Sequence, residues 1–324
     1  MQILTVKNKK DFLSLNKNAE LFKSGSAVAL GFFDGVHIAH RKLINETVEN
    51  GKKQNIPSVV LTFSAANTSF KSDKARLLTD EEKLSEIQSL GVDVALVFDF
   101  DVIKDISAEC FVEEILIGVL NAKTSFCGYN FKFGKNASGN SALLEKKMND
   151  SGRKAIVLPE YRSKQSIVSS SYIRNLLSEK KLQQAAMLLG KPFFSDGTVS
   201  RGLGLGKKLG FPTVNTSLEN GKFTLSNGVY FTAVQFSDKL YMGITNIGEC
   251  PTFDERETHA ETFIFDFDNN IYDEKIRIYF VDFIRNEIKF SSKEELIMQI
   301  NIDKTKVLTL KEKIKWQEIG LNLQ

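Results

Sequence analysis

Short apolar runs alternate with amphipathic segments along the first half of the chain. Two runs, SAVALGFF and SVVLTF, are apolar throughout, as expected of strands buried on both faces of a parallel sheet. A helical pattern, TDEEKLSEIQSLG, opens with a capping box of Thr79 and Glu82 and closes on Gly91. The alternation continues to Glu160 through DVALVFDF, AECFVEEILIGVL, KTSFCG, SALLEKKMND and KAIVLPE. This pattern predicts a doubly wound α/β domain, a fold that binds ligands at the carboxyl ends of its strands.

The pattern changes near residue 190. Two short helical stretches, SSSYIRNLLSEKK and LQQAAMLLG, lead to Gly190-Lys191-Pro192, which we interpret as a helix end and a linker. Strand-like runs follow, without a helical pattern before Ser291: NGVYFTAVQF, LYMGITNIG, AETFIFDF and KIRIYFVDFI. They predict an antiparallel sheet or small barrel, and Ser292 with Glu295 predicts a closing helix. We expect two domains, residues 1–188 and 189–324.

Composition excludes several classes of protein. The chain has 324 residues, of which 42% are hydrophobic and 26% charged, so two ordinary cores can form. Its 43 basic and 40 acidic residues give a net charge of +3, and we expect neither nucleic acid, nor a membrane, nor an obligate protein partner. Three cysteines without CxxC spacing and the lack of a signal core or an apolar span predict a cytoplasmic protein.

The strand SAVAL is followed by a glycine turn, an aspartate and two histidines in GFFDGVHIAH. Glycine lets the backbone turn sharply, and the N-terminus of the next helix attracts phosphate. His37 and His40, three residues apart, would face the same side and could stabilise a pentacoordinate phosphorus. Histidines that only cap the helix are the alternative. The residues of this segment predicted to bind a nucleotide or its phosphates are Gly31, Phe33, Asp34, His37 and His40.

Glycines crowd the segment RGLGLGKKLGFPTVN of the second half. They would leave backbone N–H groups free to wrap phosphates, although a flexible hairpin has the same composition. Thr213 and Asn215 then offer two hard oxygens, which suit Mg²⁺ with ATP phosphates. The Walker motif GxxxxGK[ST] is absent, so a P-loop kinase is excluded. The glycines concerned are Gly202, Gly204, Gly206 and Gly210.

Two charged residues of the later strands are candidates for function. In HAETFIFDF, Glu261 and Phe263 are two positions apart and would lie on the same face of a strand. We expect the phenylalanine rings to bury this face, so that Glu261 would be a desolvated general base. A frayed strand end that meets solvent is the alternative. Arg285 in RNEIKF would be a cation on a mobile loop, or only a surface charge.

In order along the chain, these segments resemble the bacterial bifunctional riboflavin kinase/FMN adenylyltransferases, also called FAD synthetases. GFFDGVHIAH is similar to the HxGH signature of nucleotidylyltransferases, and VSSSYIR is similar to the family's ISSTxIR. The resemblance covers nearly the whole chain. Its other segments are LTF, LLT with EK, CGYNFKFGKNASGN, AAMLLGKPF, GKKLGFPTVNT, NGVY, NIGECPTF and RNEIKF.

The resemblance implies a nucleotidylyltransferase domain followed by a six-stranded antiparallel riboflavin kinase barrel with a C-terminal helix. The barrel would transfer the γ-phosphoryl group of MgATP to riboflavin, with Glu261 activating the 5′-hydroxyl. The first domain would transfer AMP from a second ATP to FMN, giving FAD and pyrophosphate, with Arg174 helping the two histidines. Also implicated are Asn130 and Ser170 for the nucleotide and Arg285 for the flavin.

The two serious departures from the family fall in the first domain, where Ser171 for Thr is a milder one. Ala39 stands where the signature has glycine, and Ala65, Ala66 and Asn67 stand where the family has Pro-His-Pro. They keep a second interpretation open, in which the protein is only a kinase and its first domain binds or regulates.

Overall fold

The computed structural model describes residues 1–8, 10–11, 15–64, 75–163, 166–201, 206, 209–217, 221–249 and 258–321. The chain divides into two compact units, Met1–Lys74 with Leu78–Ser169 and Ala75–Leu77 with Ser170–Gln324. The domain boundary between residues 188 and 189 stays a prediction.

The first unit is built on a six-stranded parallel sheet. Its elements are β1 (Gln2–Val6), β2 (Ser26–Leu30), α1 (Ile38–Gln54), β3 (Ser58–Ser64), α2 (Asp80–Ser89), β4 (Val94–Asp99), α3 (Phe100–Ile103), α4 (Ala108–Cys110, continued as a π-helix over Phe111–Val119), β5 (Ala122–Gly128), β6 (Lys132–Phe133), β7 (Gly139–Asn140), α5 (Ser141–Asp150), β8 (Lys154–Leu158), β9 (Arg162–Ser163) and β10 (Ser166–Ile167). The strand order is β1-β4-β3-β2-β5-β8. The predicted doubly wound α/β domain is confirmed.

The direction of the strand order reverses at β2. After β2 the chain adds β3 and β4 on one side, then crosses to β5 and β8 on the other. The residues from Ala27 to Leu30 are at most 1% exposed, which explains their unbroken apolar run. Such a sheet binds ligands in the crevice at the carboxyl ends of the strands beside the reversal. The chain therefore enters this crevice at Gly31.

The second unit holds two helices, a closed barrel and a C-terminal helix. Its elements are α6 (Ser170–Ser178), α7 (Leu182–Leu189), β11 (Phe193–Ser200), β12 (Thr213–Ser217), β13 (Gly228–Phe236), β14 (Lys239–Glu249), β15 (Thr258–Ile264), β16 (Lys275–Arg285) and α8 (Lys293–Lys313). The antiparallel strands close in the order β11-β12-β15-β14-β13-β16. The predicted six-stranded barrel and its closing helix are confirmed, and the Ser292 side chain caps α8 by accepting a hydrogen bond from the Glu295 N–H.

Gly190 ends α7 in the left-handed conformation with φ of 78°, as the helix-end interpretation requires. The short connection from Gly190 to Pro192 joins α7 to β11 inside the second compact unit. Along the residues that the structure describes, none of the helices is long and apolar enough to cross a membrane.

Candidate active sites

The chain turns sharply between β2 and α1. Phe33, Gly35 and Val36 have positive φ angles of 56°, 80° and 38°. His37 is the N-cap of α1, and its Nδ1 accepts a hydrogen bond from the His40 N–H at 3.3 Å. This turn places the N-terminus of α1, with its positive dipole end, directly after the carboxyl end of β2.

The rings of His37 and His40 are stacked, with their centroids 3.6 Å apart. Burial lowers the pKa of His37 to about 4, and burial with the charge of His37 holds the pKa of His40 well below its ordinary value. Both rings are therefore neutral at pH 7. Because Nδ1 of His37 accepts a hydrogen bond, its proton lies on Nε2, which can donate to a phosphate oxygen. The Nδ1 atom of His40 is buried without a hydrogen-bond partner.

The capping alternative is therefore correct for His37 but does not account for His40, whose ring caps nothing that the structure describes. Capping and phosphate binding are compatible, since each uses a different ring nitrogen of His37.

The other predicted residues of the first unit lie at the same edge of the sheet. Gly31 and Asp34 belong to the turn, and Asp34 is 7% exposed. Phe33 is buried, and its ring contacts the His40 ring edge-on. The predicted contact of Phe33 with a nucleotide would therefore be made by its backbone. Asn130 is exposed and follows β5, the strand next to β2. Their contacts with a nucleotide stay predictions.

Ser170 and Arg174 lie in the first two turns of α6, and Arg174 Nη2 donates to Ser171 Oγ at 3.4 Å. Both belong to the second compact unit, and the predicted approach of Arg174 to the histidines stays a prediction. The departure at Ala65, Ala66 and Asn67 lies outside the described residues.

Sequence reasoning missed Lys83, which is 3% exposed. Its Nζ donates to the Phe63 carbonyl at 2.6 Å, lies 3.2 Å from Asp80 Oδ1 and lies 4.8 Å from the centroid of the Phe32 ring. It thereby joins the end of β3, the start of α2 and the turn after β2. The sequence feature that could have identified Lys83 is a lysine near the start of a helix, where the helix dipole disfavours a positive charge.

The barrel brings the predicted kinase residues together on two neighbouring strands. Thr213 of β12 donates its hydroxyl to Glu261 Oε1 of β15 at 2.6 Å. Asn215 lies directly opposite Glu261 in the ladder. Three residues predicted for metal, ATP and proton transfer are thus neighbours.

The expectation that Glu261 is desolvated is wrong, because its side chain is exposed. Strand alternation correctly placed Phe263 on the same face of β15 as Glu261. The buried face of β15 is the opposite one, which carries Ala260, Thr262 and Ile264. Glu261 therefore meets solvent, but not at a frayed strand end, since it pairs with Asn215 on one side and Asn246 on the other. Its carboxylate is left accessible to a substrate.

Two of the four predicted phosphate-loop glycines lie in the described residues. A Cβ on Gly206 would meet the Phe211 carbonyl oxygen and lie 3.0 Å from Thr213 Oγ1, so a side chain there would displace the site. Gly210 has φ of 82°, a conformation that favours glycine. Gly202 and Gly204 lie outside the described residues.

Arg285 is the last residue of β16 rather than part of a mobile loop. It pairs with Val229 in the barrel ladder, and its Nη2 lies 2.9 Å from Oδ2 of Asp303, which is 2% exposed on α8. This buried partner, invisible in the sequence, fixes the guanidinium. Its contact with flavin stays a prediction.

A turn with two stacked histidines at the reversal point of a parallel sheet and a carboxylate–hydroxyl pair on a barrel fit a transferase with two sites. The family model described as FAD synthetase matches residues 19–172, and the one described as riboflavin kinase matches residues 189–310. The chain belongs to the bifunctional riboflavin kinase/FMN adenylyltransferase family.

Three relatives described by that name show the extent of the match. The protein of Buchnera aphidicola subsp. Schizaphis graminum is 39% identical over 88% of this chain and 94% of its own length. Those of Haemophilus influenzae and Bacillus subtilis are 34% and 32% identical, over 88% and 87% of this chain and 94% and 92% of their own lengths. Since both halves match, the kinase-only interpretation is not favoured.

A solved structure from Streptococcus pneumoniae, described as a macrolide-efflux protein, shares this fold over both halves. It is 27% identical, with a TM-score of 0.81 that covers 95% of this chain and 99% of that one. The description as an efflux protein concerns that protein.

Proposed function

We propose that this chain makes FAD from riboflavin in two steps, one in each of its two matched halves. The barrel converts riboflavin and ATP into FMN and ADP, and the α/β half converts FMN and a second ATP into FAD and pyrophosphate. The observation that carries the proposal is the 2.6 Å hydrogen bond between Thr213 and Glu261 on neighbouring barrel strands. It joins the predicted base to the predicted metal ligand.

In the kinase step, Glu261 accepts the proton of the 5′-hydroxyl of riboflavin while that oxygen attacks the γ-phosphorus of ATP. The new bond joins the 5′-oxygen to the phosphorus. The bond from the phosphorus to the β–γ bridging oxygen breaks, and ADP leaves with its electrons. Thr213 occupies Oε1 of Glu261, so Oε2 remains for the proton of the substrate.

Thr213 and Asn215 fit Mg²⁺ as it binds with ATP. A hydroxyl that donates its proton to a carboxylate keeps its lone pairs for a cation, and the Asn215 side chain adds an amide oxygen. Among the described residues no group of three or more His, Cys, Asp or Glu side chains could hold a metal ion. Few protein ligands suit Mg²⁺, which keeps several waters and, when bound, neutralises charge on the phosphoryl oxygens.

In the adenylyl step, a phosphate oxygen of FMN attacks and bonds to the α-phosphorus of ATP. The bond from that phosphorus to the α–β bridging oxygen breaks, and pyrophosphate leaves with its electrons. The attacking phosphate is already ionised at pH 7, so no general base is required. His37 and His40, both neutral, donate N–H groups to the oxygens on which charge develops, beside the N-terminus of α1.

We further propose that the protein acts in the cytoplasm on ATP, riboflavin, FMN and FAD, without nucleic acid, membrane or an obligate protein partner. Its near-neutral charge of +3 and the free thiols of Cys110 and Cys127 support this.

The test of the base is Glu261→Gln. ADP release from riboflavin and ATP reports the kinase step alone, because adenylyl transfer releases pyrophosphate. We expect ADP release to fall by roughly 10²- to 10⁴-fold, the usual range for a positioned acid–base group. FAD formation from supplied FMN should be unchanged, which shows that the first half is folded, and an unchanged Tm of the barrel unit shows that the second half is folded. Asp238→Asn, in the exposed turn between β13 and β14, is the matched control. ADP release near the wild-type rate in Glu261→Gln would reject the assignment.

A further inference from the structure

A lysine of the C-terminal helix lies among three aromatic rings of the barrel. Nζ of Lys304 is 5.8 Å, 5.5 Å and 5.8 Å from the ring centroids of Phe211, Phe263 and Phe265. The side chain is half-buried. Among the described residues its ammonium makes no hydrogen bond and no ion pair, so its charge is balanced only by the faces of the rings.

The rings around Lys304 are direct neighbours of the kinase residues. Phe211 precedes Thr213 by two positions, and Phe263 follows Glu261 by two positions and lies opposite Thr213 in the ladder. The Phe211 and Phe263 rings are 5.5 Å apart. Alternate residues of a strand share a face and are spaced by about 7 Å. The Lys304 ammonium is therefore on the outer face that carries the Thr213–Glu261 pair, within reach of a group bound there.

Contacts of the residues around Lys304 fix α8 on the barrel. Asp303 is buried and holds Arg285 of β16 by an ion pair. Lys306 donates from Nζ to the Ile284 carbonyl at 2.5 Å. The backbone that carries Lys304 is therefore held from both sides, and the ammonium is not a freely solvated surface charge.

Among the described residues no carboxylate pairs with Lys304, so an anionic ligand bound on this face would supply the opposite charge. Riboflavin is neutral, whereas ATP and FMN carry phosphate. Phosphoryl transfer spreads charge over three equatorial oxygens, and an ammonium on a flexible stem can follow them through the reaction. We propose that Lys304 is a further binding residue of the kinase site and contacts the phosphoryl group in transit, which is the γ-phosphate of ATP before transfer and the 5′-phosphate of FMN after it. This rests on the kinase site proposed above.

The test is Lys304→Met, which keeps the apolar stem and removes the charge. We expect kcat for ADP release to fall by roughly 10- to 100-fold, as for the loss of one charge-assisted hydrogen bond. Product inhibition by FMN should weaken by about 10-fold or more for the same reason, whereas KM for riboflavin, which carries no phosphate, should change less than about 3-fold. Lys304→Arg keeps the positive charge, so it should retain much of the wild-type kcat and of the wild-type inhibition by FMN.

Lys313→Met, at the exposed end of α8, is the matched control and should change none of these values. The Tm of the barrel unit reports whether the mutated half is folded, and FAD formation from supplied FMN reports the same for the first half. Lys304→Gln is the second variant if Lys304→Met aggregates. Unchanged kinetics with a lowered Tm would show that Lys304 only packs on the rings. A parallel loss of riboflavin and FMN affinity would show contact with the flavin ring. Either result would overturn the proposal.

The two sets of variants distinguish rejection of the role of Lys304 from rejection of the role of Glu261 as the base. If Glu261→Gln retains turnover while Lys304→Met loses it, the role of Glu261 is rejected and that of Lys304 remains. If Glu261→Gln loses turnover and Lys304→Met retains it with unchanged FMN inhibition, only the role of Lys304 is rejected.

Discussion

His37 is a residue whose burial has a consequence for stability. Its pKa is lowered to about 4 by desolvation in the folded chain, while an unfolded chain restores the ordinary value of 6.5. Between these values the unfolded state binds a proton that the folded state does not. The contribution of His37 to the free energy of unfolding should therefore be fully present above pH 6.5. It should be lost as the pH falls towards 4, which lowers the free energy of unfolding by an amount on the order of 3 kcal/mol.

Calorimetry of the wild type and of His37→Gln at pH 7.5 and pH 5 checks this prediction. Carboxyl groups titrate equally in both proteins, so the difference between them isolates His37. The wild-type transition assigned to the α/β unit should move to lower temperature at pH 5 by more than that of the variant. An equal shift in both proteins would contradict a neutral buried imidazole.

Single residues also show what a sequence can and cannot reveal about a site. Thr213, Asn215 and Glu261 were each singled out from the sequence, by their oxygens or by the family resemblance, but only the pairing of β12 with β15 shows that they are neighbours. The exposure of Glu261 was not predicted correctly, because alternation does not say which face is inner. Lys304 gives no local signal at all, since a lysine in a helix is usually solvated. Only the packing of α8 on the barrel brings it to the rings.

Among the elements, the strands that sequence patterns predicted have runs of apolar residues, whether buried along most of their length, as in β2, or only in part, as in β8. β2 and β3 show uninterrupted apolar runs because helices cover both faces of the sheet. β12 was missed because TVNTS is polar and only partly buried. It is a strand because β11 and β15 pair with both of its edges. β1 was missed for a related reason, since it lies at the edge of the sheet and is mostly exposed.

We expect Lys83 of α2 to position the turn after β2, because it contacts the Phe32 ring of that turn. Lys83→Met removes the donor to the Phe63 carbonyl and the cation beside Asp80 and the Phe32 ring. We expect the first unit to lose about 1–3 kcal/mol of stability, because a buried polar group loses its partner. We also expect FAD formation from FMN to fall by at least about 10-fold, since a shift of about 1 Å in the turn can cost roughly 10²-fold in rate.

Assays of Lys83→Met and the wild type at a temperature below the unfolding transitions of both proteins provide the check. ADP release from riboflavin should match the wild type, because Lys83 belongs to the first unit and the kinase residues to the second. Lys53→Met, on the exposed side of α1, is the matched control. Normal FAD formation in folded Lys83→Met would show that the lysine stabilises the unit without positioning the turn.

For the whole molecule, one substitution in each half should remove the activity of that half and leave the activity of the other half intact. Glu261→Gln removes the base of the barrel and leaves the turn after β2 intact. His40→Ala removes an N–H donor at that turn, which should lower adenylyl transfer by roughly 10²- to 10³-fold, and leaves the barrel intact. Neither variant alone should make FAD from riboflavin at an appreciable rate.

An equimolar mixture of the two variants should make FAD from riboflavin and MgATP, because FMN is a small product that can leave one chain and bind another. FMN should accumulate first, and FAD should follow after a lag that shortens as the Glu261→Gln protein is increased. Each variant, assayed alone on the substrate of its intact half, supplies the control. If both controls are active and the mixture still forms no FAD, FMN does not exchange between chains, and the proposal of two independent sites joined by a freely diffusing intermediate is wrong.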